Sequence, residues 1–252
     1  MRRVISRVAP VLAMVVLAAC ATPDVAQDVY DPYEEDNRSA HGFNRGLDAV
    51  ALRPAATGYG TIVPNPIRAG VTNFSSNLGM PSVILNDLLQ ANFADAGHNS
   101  LRFVVNSFLG LGGLFDVAGA RGHETRPADF GETLAVWGAG EGAYLEVPFL
   151  GPRTERAFAG TVVDAVLNPV NYVLGPQYTV VIYGTRAGSV LESRFVLGDA
   201  LDEILYESAD SYALLRSLYL QNRRFELSQG GAIETDPGAD IYEDLYGDIF
   251  EE

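Results

Sequence analysis

The run "FVVNSFLGLGGLFDVAG", residues 103–119, holds one charged residue, Asp116, in a chain of formal charge −15. At about 1.5 Å of rise per residue it is too short to cross the roughly 30 Å of a bilayer core. Gly110, Gly112, Gly113 and Gly119 argue against one straight helix. Two arrangements fit. One is a pair of helices joined by "GLGG" (110–113) within a single leaflet, with Phe103, Phe108, Leu109, Leu111, Leu114 and Phe115 against acyl chains. The other is a buried hairpin in the core of a soluble domain, the simpler choice on length and periodicity alone. Non-helical backbone at membrane depth must be buried in protein or line a wet cavity, so the first arrangement needs one of those two settings.

Across the start of the run, Leu101, Val105 and Phe108 mark one helical face, while Asn99, Arg102 and Asn106 mark another. Arg102 and Asn106 stand at i and i+4, where they offer donors to a phosphate headgroup passing apolar walls. The competing assignment pairs Arg102 with a structural carboxylate such as Asp116.

The N-terminus bears on the choice between leaflet and core. Arg2, Arg3 and Arg7 precede an apolar stretch from Val8 to Ala19, the layout of an export signal. "LAAC" (17–20) resembles the lipobox of bacterial lipoproteins, which are cut before a cysteine that is then acylated. Cys20 is the only cysteine, so an internal disulfide is impossible. A multi-chain lipid anchor holds firmly at about 0.8 kcal/mol per buried CH₂. Ala21, rather than an aspartate, follows the cysteine, which favours the outer membrane as the destination.

Once residues 1–19 are removed, 14 arginines face 32 acids, and the chain has no lysine. So acidic a chain excludes nucleic acid as a partner and excludes charge-driven holding to an anionic membrane. The acids crowd the ends, which suggests an acidic tether over 20–35, an ordered domain over 36–230 and an acidic tail over 231–252.

Between those ends helical patterns dominate. Phe43, Leu47, Val50 and Ala51 form a stripe ending before Pro54, with Phe43, Asn44 and Leu47 on a helix at the rim. Pro81 suits the first position of a helix through Leu89. Thr154 caps a helix that stops before Pro169, and Asp210 or Ser211 caps another ended by Gly230. A further helical pattern runs from Val190 to Leu205. "YTVVIYG" (178–184) and "AYLEVPF" (143–149) read as extended by propensity, but neither has a visible hairpin partner, so both strand assignments are lowered. In the tail, Ile241, Leu245 and Ile249 recur with Tyr242, Tyr246 and Phe250, the mark of an amphipathic helix docking on a partner or on its own body.

No catalytic or cofactor motif is complete. There is no nucleophile elbow, no phosphate-binding loop and no pair of histidines at metal spacing. The residues therefore call for no enzyme activity, cofactor or metal.

Five stretches in order resemble the MlaA (VacJ) family of outer-membrane lipoproteins. They are "DPYEEDNRSAHGFNRGLD" (31–48), "RPAATGYGTIVPNPIRAGVTNFSSNLGMPSVILNDLLQ" (53–90), "RFVVNSFLGLGGLFDVAG" (102–119), "DFGETLAVWGAGEGAYLEVPFLGPR" (129–153) and "SYALLRSLYLQNRRFE" (211–226). The chain departs from the pattern at Ala157, after Arg156, and at Ser211, within Asp210-Ser211-Tyr212. The resemblance implies an all-α, ring-like domain in the periplasmic leaflet of the outer membrane, beside a trimeric porin. Such a body is a passive channel that removes mislocalised phospholipid from the outer leaflet, hands it to a periplasmic lipid carrier and so maintains lipid asymmetry, without catalysis or cofactor. It also implies helix over 178–184, against propensity. Anchor and resemblance together turn residues 103–119 toward the leaflet. The alternative function is a structural or interaction lipoprotein of the envelope with a filled core.

Overall fold

The computed structural model describes residues 29–229, so the export segment, Cys20 and the C-terminal amphipathic motif lie outside the described residues. Helices α1 (Glu34–Leu47) and α2 (Arg53–Ile62) form one rod joined by a π turn at Asp48–Leu52. There follow α3 (Asn65–Leu89), α4 (Phe93–Phe108) and α5 (Phe130–Val136). A hairpin of β1 (Tyr144–Val147) and β2 (Gly151–Thr154) leads into α6 (Glu155–Leu167) and the one-turn α7 (Val170–Val173). Helix α8 (Thr179–Val196) turns at Leu197 into α9 (Gly198–Asp202), which ends in a second π turn at Glu203–Glu207. Helix α10 (Ser211–Gln229) closes the described chain.

The elements form a ring-like, mostly helical body. α2 packs on α8, α8 on α3, α3 on α5, α5 on α6 and α6 on β2, while β1 packs on α1, so the circuit returns to its start. No described helix is long and apolar enough to cross a membrane.

Several local expectations change. The first helix does not end before Pro54. The π turn immediately upstream displaces the carbonyl that the proline ring would strike, and the rod continues to Ile62. Pro81 lies inside α3 rather than at its start. Packing against α4 and α8 holds that helix through the missing backbone bond. Residues 144–147 are a strand after all, with Tyr144 opposite Thr154 and Val147 opposite Gly151. Its partner is "GPRT", whose composition hides it from strand propensity. Phe149 and Gly151, both at positive φ, make the turn. Residues 179–196 are helical, as the resemblance implied.

The ordered body also begins upstream of residue 36. Asp31 accepts from Asn37 Nδ2 at 2.8 Å, from Arg216 and from the Tyr212 hydroxyl, and Val29 packs against the Tyr144, Tyr212 and Leu220 cluster. Three donors on one buried carboxylate tie the end of the expected tether to α1 and α10. Residues 109–119 do not form a second helix. The chain leaves α4 at Phe108 and folds through successive turns to a short 3₁₀ turn at Gly119–Arg121.

Candidate functional site

Helices α3 and α4 are amphipathic with their polar faces inward, whereas α10 buries Tyr212, Leu220 and Leu227. On α4 the inner face is Ala96, Asn99, Arg102 and Asn106, with Asn99 fully buried and Arg102 4 % exposed. The outer face carries Phe93, Leu101, Val104 and Phe108, the last 80 % exposed. α3 buries Arg68, Asn77, Asn86 and Asp87, and α8 buries Arg194 while Val180 stands 82 % exposed. In water this arrangement would forfeit the largest favourable contribution to folding. Against acyl chains it costs nothing, and contiguous apolar surface on this scale marks a membrane or protein contact.

Hydrogen bonds join the inward faces. Asn99 Nδ2 donates to Asp87 Oδ2 and to the Arg126 carbonyl, each at 2.8 Å, coupling α3, α4 and the segment before α5. Asn86 donates to Asp164 at 2.8 Å and accepts from the Thr133 hydroxyl at 3.0 Å. Asp164 also accepts from the Phe130 backbone N–H at 2.9 Å, so one carboxylate fastens α5 to α6. Burial is the larger influence on Asp164 and leaves it above the usual carboxylate range despite those donors.

Arg102 and Asn106 converge on Asp116. Arg102 Nη2 lies 3.2 Å from both carboxylate oxygens, and Asn106 Nδ2 donates at 2.8 Å. Asn106 Oδ1 accepts from the Ala118 N–H, and Asp116 accepts from the Gly119 N–H. These bonds brace the turns of 109–119 and leave Leu109, Leu111, Leu114 and Phe115 outside; Phe103 is half-buried. Arg102 Nε and Nη1 are buried and bond to none of the described residues. On α1, Phe43 is half exposed and meets the Phe149 ring edge-on at 5.2 Å, and Leu47 is half-buried. Asn44 clamps the hairpin, donating to Glu146 and the Val147 carbonyl and accepting from the Phe149 N–H at 2.8 Å.

Behind the outer faces lies a cavity of about 930 Å³, bounded by α3, the start of α4, the segment 125–129, α5 and the end of α10. Met80, Val83 and Phe225 supply its apolar wall. Two arginines reach it, each held by acids: Arg126 by Asp95, and Arg223 by Asp129 at 2.7 Å and Glu226 at 3.2 Å. A volume of this size with mixed lining suits a polar headgroup and its first methylenes.

The MlaA lipoprotein family profile matches residues 29–226. The chain belongs to the MlaA lipoprotein family. A Rickettsia felis protein of unassigned role is 37 % identical over 75 % of each chain. The intermembrane phospholipid transport system lipoprotein MlaA of Shigella flexneri is 34 % identical, covering 94 % of this chain and 95 % of its own. A solved structure described as the structural basis for maintenance of bacterial outer membrane lipid asymmetry superposes with a TM-score of 0.68 at 32 % identity. It covers 78 % of this chain and 98 % of that one.

Within this MlaA fold the structure brings Arg102 and Asn106 together but turns them on Asp116, and neither lines the cavity. The sequence reading missed the cavity residues Asp87, Arg126, Glu132 and Arg223. The signal for Asp87 was present in "NDLL", a polar pair on a helix whose next residue, Leu88, faces outward. A Ser–His–acid contact also appears, with Ser211 Oγ 2.9 Å from His41 Nε2 and His41 Nδ1 3.8 Å from Glu146. All three residues are buried, none lines the cavity, and Glu146 is engaged by Tyr144 and Asn44, so the contact is structural.

Proposed function

We propose that the protein is an outer-membrane lipoprotein acting as a passive conduit for phospholipids. It removes molecules that have strayed into the outer leaflet and maintains lipid asymmetry. In this reading Cys20 carries the acyl anchor and the body lies in the periplasmic leaflet beside a trimeric porin, handing lipid to a soluble periplasmic carrier. No catalytic step is required. One observation carries the proposal: large apolar side chains stand exposed on the outer faces while a cavity of mixed lining, with acids, two arginines and an apolar wall, opens between the helices. A lipid needs both surfaces, acyl chains on the first and headgroup in the second. The exposed cluster of Phe108, Leu109, Leu111, Leu114 and Phe115 is assigned to the acyl region of the leaflet, with Phe43, Asn44 and Leu47 at the rim. Arg102 and Asn106, outside the cavity, brace the embedded turn through Asp116.

Mass spectrometry of the detergent-extracted full chain tests the reading. Co-purifying phospholipid, together with outer-leaflet phospholipid accumulating on deletion, is the expected result. No bound lipid and normal asymmetry on deletion would leave the structural lipoprotein as the answer.

A further inference from the structure

Resting on the conduit reading, we propose that the cavity sorts phospholipids by headgroup, accepting zwitterions that carry a primary ammonium in preference to anionic, glycerol-type headgroups. The charge count supports this first. Asp87, Asp95, Asp129, Glu132 and Glu226 face the cavity against Arg126 and Arg223. An excess of negative charge between low-dielectric walls repels an anionic headgroup more strongly than bulk water would allow.

The pairing within the cavity is more specific than the count. Both guanidiniums are already held by acids, Arg126 by Asp95 and Arg223 by Asp129 and Glu226. Asp87 and Glu132 have no salt-bridge partner among the described residues. Asp87 is 2 % exposed at the cavity wall, and its one side-chain donor is Asn99 Nδ2. A buried carboxylate without a cation is costly, and a cation donor arriving through the cavity relieves that cost. A primary ammonium brings one charge and three N–H donors in a compact group, suited to a cavity wall that carries Asp87 and Glu132.

Glu132 has a protonation state suited to such a guest. Burial beside Asp129 pushes its carboxyl up to about 7, with Arg223 and Asp87 the other charged groups facing it. Near neutrality it therefore stays partly protonated while no ammonium is bound, and ionises when one enters. The phosphate of the same headgroup has Arg126 at hand, whose Nη1 alone is engaged by Asp95.

The test uses the full-length protein in detergent micelles doped with equal amounts of phosphatidylethanolamine and phosphatidylglycerol of matched acyl chains. Protein-bound lipid is then quantified by mass spectrometry. At least about threefold enrichment of the ethanolamine lipid is expected, the effect of one well-placed charge. Glu132→Gln should lower the ratio, and Glu132→Lys should turn it toward the glycerol lipid. Phosphatidylcholine, with its charge but no N–H, should compete less well than the ethanolamine lipid. Asp87→Asn should lower the ratio as well, and if it fails to fold Glu132→Lys decides alone. Bound lipid at the input ratio, or a ratio that Glu132→Lys does not move, overturns headgroup selection and leaves the conduit standing. No bound lipid of either kind overturns the conduit reading as well.

Discussion

At the scale of single residues, stability rests on buried charges whose partners come from distant elements. Arg194 donates to both oxygens of Asp48, at 2.8 and 2.9 Å, and also to Asp202, while the Tyr206 hydroxyl donates to Asp48 at 2.7 Å. Arg194→Met strips Asp48 of its cation in a buried site, so a loss of about 3–5 kcal/mol is expected by denaturant titration in detergent. The double variant with Asp48→Asn should recover part of that loss, and a neutral single variant would show the pair to be dispensable. Burial pushes Asp48 up, but the Arg194 and Tyr206 hydrogen bonds outweigh it and hold the carboxyl below its ordinary 3.8. Its contribution is therefore full above about pH 4 and fades as pH falls through the lower folded value. Glu132 has the opposite sign. Its folded value of about 7 exceeds the ordinary 4.5, so the folded state holds a proton that the unfolded chain releases. Stability from this group falls as pH rises between those values. Glu132→Gln should match the wild type in melting temperature near pH 4.5 and exceed it at pH 8. Equal melting at both would place Glu132 in free solvent.

At the scale of elements, close backbone approach decides what the helices tolerate. A Cβ on Gly160 of α6 would strike the backbone of Phe130 and Gly131 in α5, whereas one on Gly46 of α1 meets nothing within 4 Å. Gly160→Ala should cost about 1–3 kcal/mol through overpacking. Gly46→Ala should add about 0.5–1 kcal/mol through helix propensity. Thermal melts of the two variants check the pair, and shifts in the same direction would refute the packing of α5 on α6. Capping at this scale was legible in advance, since Thr154 accepts from the Ala157 N–H and Asp210 from the Ala213 N–H. The helix through Pro54 was not, because a π turn depends on what packs beside it. The β-hairpin escaped for a related reason: "GPRT" pairs as a strand only once Asn44 holds its turn.

At the scale of the whole molecule, the inverted body predicts that fold and membrane association respond to different residues. Phe108 is exposed at the end of α4. Phe108→Asp should leave the melting temperature in detergent nearly unchanged, as surface substitutions do within about 0.5 kcal/mol. It should still weaken vesicle association of the full chain, because a charge at the centre of the hydrocarbon costs about 2.5–3.5 kcal/mol. Flotation with liposomes measures the second effect. A variant that unfolds in detergent would show that Phe108 is core rather than a lipid contact. Asn106→Ala is the complement: it removes the donor to Asp116 and the acceptor of the Ala118 N–H, so its loss should appear in detergent stability first.

The sequence by itself determined the helical class, the caps at Thr154 and Asp210 and the family, because these reside in local periodicity, short motifs and their order. It also identified two faces on α4. Which face points inward was decided only by the tertiary structure. An amphipathic stripe has the same period whether its apolar side meets a protein core or acyl chains, and only the surrounding helices show that Asn99 and Arg102 are inside. The cavity was beyond the sequence for the same reason. Asp87, Arg126, Glu132 and Arg223 come from four separate segments, and each alone is an ordinary surface charge. Ring closure brings them into one cavity, where burial and the lack of a salt bridge to Asp87 or Glu132 among the described residues give them a common chemistry.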